Sequence, residues 1–237
     1  MKFSFFTLFP ELILPYFQHS IMGRAVRSGI INIECINIRD FATNRYRKVD
    51  SKLIGGGAGM LLEPYCLHLA LQNVLDSRII FLSPVGARFK QRDSKRLSKY
   101  SHISLVCGRY EGFDERIIEM YADEIFSIGD FILSGGEVAA LCMADSITRN
   151  LDSVLGNMES LQGESYDNNI ESKSSDYKIS NLLEAPNFTK SKPFDENFKK
   201  ISPIFTYING NHAIITDLKL KMSKMKTKYF RPDLFHF

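Results

Sequence analysis

The sequence predicts an α/β domain on a mostly parallel sheet, followed by a small helical C-terminal domain. Short apolar runs recur at residues 3–6, 31–36, 79–82, 103–106 and 125–128. Stretches with helical spacing separate most of them, the alternation from which parallel sheets are built. Beyond Gly156 the composition changes, and periodicity resumes only at Leu182-Leu183.

The runs at 79–82, 103–106 and 125–128 are too short to span a membrane and of the right length for buried strands. Apolar residues at helical spacing mark helices at 63–75, after Pro64, and at 113–121 and 135–151. The last of these closes a first domain of residues 1–156. Residues 157–180 are rich in Ser, Asn and acids, bury too little to offset ordering entropy, and read as a flexible linker. Residues 181–237 form the second, basic helical domain, in which 211–229 has the pattern of a helix with Lys221, Lys224 and Lys228 on one face.

No apolar run approaches the roughly 20 residues of a membrane span, and the apolar start of the chain reads as a first buried strand, so a cytoplasmic protein is expected. Cys35, Cys66, Cys107 and Cys142 show no metal-ligand spacing and read as buried thiols. The net charge of +3 is unevenly spread: residues 181–237 carry ten Lys/Arg against five Asp/Glu. A basic end on a near-neutral body suggests an anionic partner there.

Three successive strands end in glycine and polar residues: Leu82-Ser83-Pro84-Val85-Gly86, Cys107-Gly108-Arg109-Tyr110-Glu111-Gly112, and Ser127-Ile128-Gly129-Asp130 running on to Ser134-Gly135-Gly136-Glu137. Open parallel sheets bind ligands beyond the carboxyl ends of their strands, so these loops are expected to form one binding rim. A Rossmann fingerprint and a P-loop are both missing from the sequence, and Gly55-Gly56-Gly57-Ala58-Gly59-Met60 has no lysine for phosphate. That stretch suits a loop approaching a flat ligand closely.

With Thr7-Leu8-Phe9-Pro10-Glu11, Asn37-Ile38-Arg39-Asp40-Phe41, Asp114-Glu115-Arg116, Val154-Leu155-Gly156-Asn157 and Gly210-Asn211-His212, these motifs stand in the order of the bacterial tRNA guanine-N1-methyltransferases. The chain resembles that family over nearly its whole length. The resemblance implies a deep trefoil knot, an exception to un-knotted topology, and S-adenosylmethionine bound by the rim. It assigns Leu82, Ser83, Pro84, Gly108, Tyr110, Ser127, Ile128, Gly129, Leu133, Gly135 and Gly136 to the cofactor pocket, where a side chain at Gly135 or Gly108 would take space needed by the adenosine. It further implies a homodimer with composite active sites, a tRNA partner, and a possible Mg²⁺ requirement for which the sequence shows no ligand cluster.

For catalysis the resemblance points to Glu164, Arg149 and Glu111; Asp50, Gly57 and Gly59 are expected to bind substrate, and the basic helix face of Lys221, Lys224 and Lys228 to hold the tRNA by its phosphates. Guanine N1 carries a proton at neutral pH. Glu164 would accept it, Arg149 would stabilise charge appearing on O6, and Glu111 would sit beside the methionine end. The expected reaction is methylation of N1 of the guanosine at tRNA position 37. The chain departs from the family pattern at Asn44, Tyr46, Ser51, Asp152-Ser153 and Leu218-Lys219, and by an insertion at 168–180. These departures favour one alternative, an RNA-binding protein that keeps the fold and has lost turnover; a second, a knot-class methyltransferase with another RNA target, is opposed by the 37–60 block and by Gly210-Asn211-His212.

Overall fold

The computed structural model describes residues 1–156, 164–166, 182–189, 205–209 and 211–234. The chain divides into two units, Met1–Asn157 and Met158–Phe237. Most of the expected linker, residues 157–163 and 167–180, lies outside the described residues.

In the first unit, strands β1 (Lys2–Thr7), β2 (Asn32–Asn37), β5 (Arg78–Arg88), β6 (His102–Cys107) and β7 (Glu124–Ser127) form one sheet in the order β2-β1-β6-β5-β7. Every neighbouring pair is parallel. The inner strands β1 and β6 are buried along nearly their whole length. Side chains on both of their faces are buried, Ser4 and Ser104 among them, because helices cover both faces. Alternate side chains feed two cores. Phe3, Phe5, Ile80, Leu82, Leu105 and Cys107 face one side, and Phe6, Ile79, Phe81 and Val106 face the other.

Helices α1 (Pro10–Ile13), α2 (Ser20–Arg27), α4 (Gln91–Leu97) and α6 (Glu137–Thr148) contribute Ile13, Met22, Leu97, Met143 and Ile147 to the first core. Helices α3 (Pro64–Leu71) and α5 (Glu115–Tyr121) contribute Leu67, Leu71 and Ile117 to the second. Proline at the start of α1 and α3 stands where its missing N–H costs nothing. A short antiparallel pair, β3 (Asp50–Lys52) and β4 (Met60–Leu62), lies outside the main sheet and has the glycine-rich segment as its loop.

The strand expected to end at Leu82 instead continues through a bulge to Arg88. β5 pairs with β7 up to Leu82, leaves register, and pairs again at Ala87 and Arg88, so that Phe126 faces both Leu82 and Ala87. Proline is tolerated in a strand at such a bulge, and Pro84 lies within it. Gly86 makes the return possible, since a Cβ there would stand 2.6 Å from the backbone of Ile125 and Phe126. Cys142 also differs from expectation: it is exposed on α6, Cys35 is half-buried, and only Cys66 and Cys107 are buried.

In the second unit, α7 (Phe205–Asn209) precedes α8 (His212–Phe230). Asn211 caps α8 by accepting a hydrogen bond from the Ile214 N–H at 3.0 Å. Thr227 and Ser223 give α8 a buried polar face: the Leu183 N–H donates to Thr227 Oγ1 at 2.8 Å, and Ser223 Oγ donates to the Leu183 carbonyl. Residues 164–166, expected in the linker, are tied into this unit. The Tyr166 N–H donates to the Leu182 carbonyl at 2.8 Å, Ser165 Oγ accepts from the Glu184 N–H at 3.0 Å, and Arg231 donates to the Tyr166 hydroxyl at 3.1 Å. Among the described residues no helix is long and apolar enough to cross a membrane.

Gly86→Ala should force the β5 bulge away from β7 and destabilise the first unit by about 1–3 kcal/mol, the usual range for overpacking. Urea unfolding should show a lower midpoint at unchanged slope. An unaltered midpoint would mean that the bulge has room for a methyl group.

Candidate active site

Strands β6, β5 and β7 are neighbours in the sheet, so the loops that follow them emerge side by side. They enclose a cavity of about 220 Å³. Its lining includes Leu82, Ser83 and Pro84 from β5, Gly108, Tyr110 and Glu111 after β6, and Ser127, Ile128, Gly129, Leu133, Gly135 and Gly136 from the end of β7 and the loop leading into α6. These comprise every residue expected to hold a cofactor, together with one of the three expected catalytic residues.

Backbone contacts set the spacing of the loops. The Gly136 N–H donates to the Gly108 carbonyl at 2.8 Å, and a Cβ on Gly136 would lie 2.8 Å from Cys107 Cα and Gly108 N. Only glycine lets the start of α6 approach β6 so closely. Within the β7 loop, Ser127 Oγ donates to the Gly129 carbonyl at 2.8 Å. Tyr110 adopts φ +58°, a conformation that strains a non-glycine residue by about 1–3 kcal/mol and concentrates at functional sites.

Two side chains to which the sequence reading gave no role bind these loops together. Glu137, at the first position of α6, is only 2% exposed; its Oε1 accepts from Thr7 Oγ1 at 2.7 Å and from Arg109 Nε at 3.1 Å. Its Oε2 lies 2.9 Å from Arg109 Nη2, close enough for an ion pair although not aligned as a hydrogen bond. Arg109 also donates to the Ser134 carbonyl at 3.2 Å and places its guanidinium 4.4 Å from the centre of the Phe9 ring, a cation–π contact. A carboxylate in the first turn of a helix is also favoured by the helix dipole, which was the one signal in the sequence for Glu137.

Gly135 and Gly108, expected to leave space for the adenosine, both line the cavity and also pack closely against protein side chains. A Cβ at Gly135 would strike the Arg109 guanidinium and Glu137, and one at Gly108 would press on the Phe113 ring at 3.1 Å. These glycines make room for protein side chains. Burial pushes the Cys107 thiol well up, with Glu137 adding to the shift, which suits a packing role.

The glycine-rich loop reaches the same rim. The Glu111 N–H donates to the Met60 carbonyl at 2.9 Å and the Leu62 N–H to the Gly112 carbonyl at 3.2 Å. Gly59 has φ +108°, and a Cβ on it would lie 2.6 Å from the Glu111 side chain. Gly57 is exposed at φ +116°. Asp50, half-buried in β3, lies 3.9 Å from Lys48 Nζ and does not line the cavity.

Arg149 caps the C-terminus of α6, half-buried, and is also not among the cavity-lining residues. Glu164 belongs to the second unit. So do Lys221, paired with Asp217 at 2.7 Å, Lys224 and Lys228. Lys221 and Lys228 are exposed and Lys224 is half-buried beside the Ser223 face. Among the described residues no group of three or more His, Cys, Asp or Glu gathers as metal ligands, so no residues are assigned to Mg²⁺.

A family model described as tRNA (Guanine-1)-methyltransferase TrmD matches residues 1–237. A tRNA (guanine-N(1)-)-methyltransferase of Helicobacter pylori strain J99 is 51% identical over 236 residues, covering 99% of this chain and 98% of the relative. A protein of the same name from Helicobacter hepaticus is 51% identical over 99% of this chain and 92% of its own. One from Campylobacter jejuni serotype O:6 is 49% identical over 99% and 97%.

Arg109→Leu should leave Glu137 buried without its counter-charge and destabilise the first unit by about 3–5 kcal/mol. Adding Glu137→Gln, which removes the orphaned charge, should recover much of that loss. Urea unfolding of both variants is the measurement. Equal midpoints for Arg109→Leu and the unmodified protein would show that the pair does not hold the loops.

Proposed function

Because the chain belongs to the family of tRNA (guanine-N1)-methyltransferases, we propose that it transfers the methyl group of S-adenosylmethionine to N1 of the guanosine at tRNA position 37, 3′ of the anticodon. The observation that carries the reading is the cavity at the ends of β5, β6 and β7, where all eleven residues assigned to the cofactor by resemblance meet. The cavity fits such a group: its lining offers Ser83, glycine backbone and the flat face of Tyr110, and the apolar side chains Leu82, Ile128 and Leu133. Bound S-adenosylmethionine supplies an electrophilic methyl group, so no covalent intermediate with the protein is required.

The protein's own part is to bind, orient and move a proton. Glu164 accepts the N1 proton, which frees the ring nitrogen as a nucleophile. Arg149 stabilises the negative charge that develops on O6. Glu111, whose backbone is pinned by Met60, stands at the rim beside the methionine end, with Gly59 packed against its side chain. Lys221, Lys224 and Lys228 draw the tRNA by its phosphates, while Asp50, Gly57 and Gly59 meet the substrate on the catalytic unit.

The knotted topology and a homodimer with shared sites are part of the same proposal, resting on the family. Exposed apolar side chains on the cavity rim, Phe131, Ile132 and Leu133, support the dimer, because so apolar a rim favours a partner surface. The reaction is assigned to the cytoplasm, where the tRNA substrate and the protein's free thiols belong.

Incubating the protein with labelled S-adenosylmethionine and unmodified tRNA transcript, then mapping the product, tests the reading. A single methyl group on N1 of guanosine 37 is expected, and Glu164→Gln should lower turnover by about 10²–10⁴ at unchanged cofactor affinity. Methylation at another nucleotide would favour a different RNA target, and tRNA binding without transfer would favour an RNA-binding role.

A further inference from the structure

We propose that the loop at residues 44–48 is a preformed stacking platform on which an unpaired anticodon-loop base of the tRNA rests against the ring of Tyr46. The inference rests on the tRNA methyltransferase reading and adds a recognition surface to it.

Tyr46 is 84% exposed, a large ring held in water with almost no packing gain. Its backbone is nevertheless fixed. Asn44 Oδ1 accepts from the N–H groups of Tyr46 at 3.1 Å and Lys48 at 2.8 Å, and Asn44 Nδ2 donates to the Lys48 carbonyl at 2.7 Å. Arg47 takes the left-handed conformation, φ +49°, and its guanidinium is tied to Asp40 at 2.5 Å. Val49, which follows the loop, is fully buried and anchors it to the core. A single exposed aromatic is ordinary; one presented by a rigid loop has lost the freedom that would make binding entropically expensive.

Charge identifies the kind of partner. Residues 39–52 hold five Lys/Arg against two Asp/Glu, a net +3, whereas the rest of residues 1–180 sums to −5. The Arg45 guanidinium lies 6.0 Å from the centre of the Tyr46 ring, so cation and aromatic are presented together. Cations flanking an open aromatic face match the chemistry of unpaired RNA, with phosphates for the cations and a base for the ring. Position also favours the nucleotides near the reacting base. The loop runs directly into β3, whose partner β4 begins at Met60, the residue hydrogen-bonded to Glu111 on the cavity rim.

The test uses the full-length protein and an unmodified tRNA transcript carrying 2-aminopurine beside position 37, a base whose fluorescence falls when it stacks. Binding to the unmodified protein should quench the signal. Tyr46→Ala should abolish the quench and weaken tRNA binding about 5- to 100-fold, the usual worth of one stacked base. Tyr46→Phe, which keeps the ring, should restore most of both, and S-adenosylmethionine affinity should not change with Tyr46→Ala. The plot of log affinity against log salt should keep its slope in Tyr46→Ala and flatten in Arg45→Gln/Lys48→Gln, which separates ring from charge. Methylation and quenching undiminished in Tyr46→Ala would overturn the platform alone. An unmodified protein that neither binds nor methylates the transcript would overturn both the platform and the functional reading.

Discussion

The site depends on one constraint: the start of α6 has to lie against the end of β6 closely enough that only glycine fits at position 136, with Glu137 buried just beyond it. A carboxylate placed there would be costly without a counter-charge. Arg109 supplies that charge, and Thr7 on the adjacent strand β1 supplies a hydrogen bond. The pair ties two of the three cavity loops to the centre of the sheet. Buried ion pairs are not generally a net gain in stability, so this one is better understood as fixing geometry. It sets the distance between the loop after β6 and the loop before α6, and hence the width of the cavity between them.

The strands were legible as short, mostly apolar segments set between helical patterns, and every run predicted as a strand falls on one. Helix boundaries were less so. The pattern predicted at 63–75 is α3 ending at Leu71 followed by a 3-10 turn at Gln72–Val74, and that at 135–151 is α6 over Glu137–Thr148. Helix α4, Gln91–Leu97, is mostly polar and gave no apolar period, while β3 and β4 have three residues each, too few for alternation to register. The bulge in β5 was hidden by Pro84, which reads as a strand end unless the chain is seen to rejoin its neighbour. At the cavity, the glycines announced close approach without saying to what. That Gly135 makes room for Arg109, and Gly59 for Glu111, depends on contacts between segments distant in sequence.

The residues of the proposed site are divided between the two units. The first holds the cavity, with strained Tyr110 and Glu111 on its rim, and rigidity there comes from backbone pairing and the buried ion pair. The second carries Glu164 and the lysines of α8. Glu164 was expected on a flexible tether, yet its neighbours Ser165 and Tyr166 are hydrogen-bonded to residues 182–184 and to Arg231. In the proposed role of proton acceptor, Glu164 would have less freedom to lose on meeting its substrate, because its neighbours are anchored.

The central claim is that the cavity between the ends of β5, β6 and β7 is the cofactor site. A crystal structure of the protein with S-adenosylhomocysteine, the demethylated product, tests it most directly. The account predicts ligand density against the backbone of Leu82–Pro84, Gly108–Tyr110 and Ser127–Gly129, with the Arg109–Glu137 pair intact. Ligand density elsewhere on the chain, with that cavity filled by solvent, would contradict it.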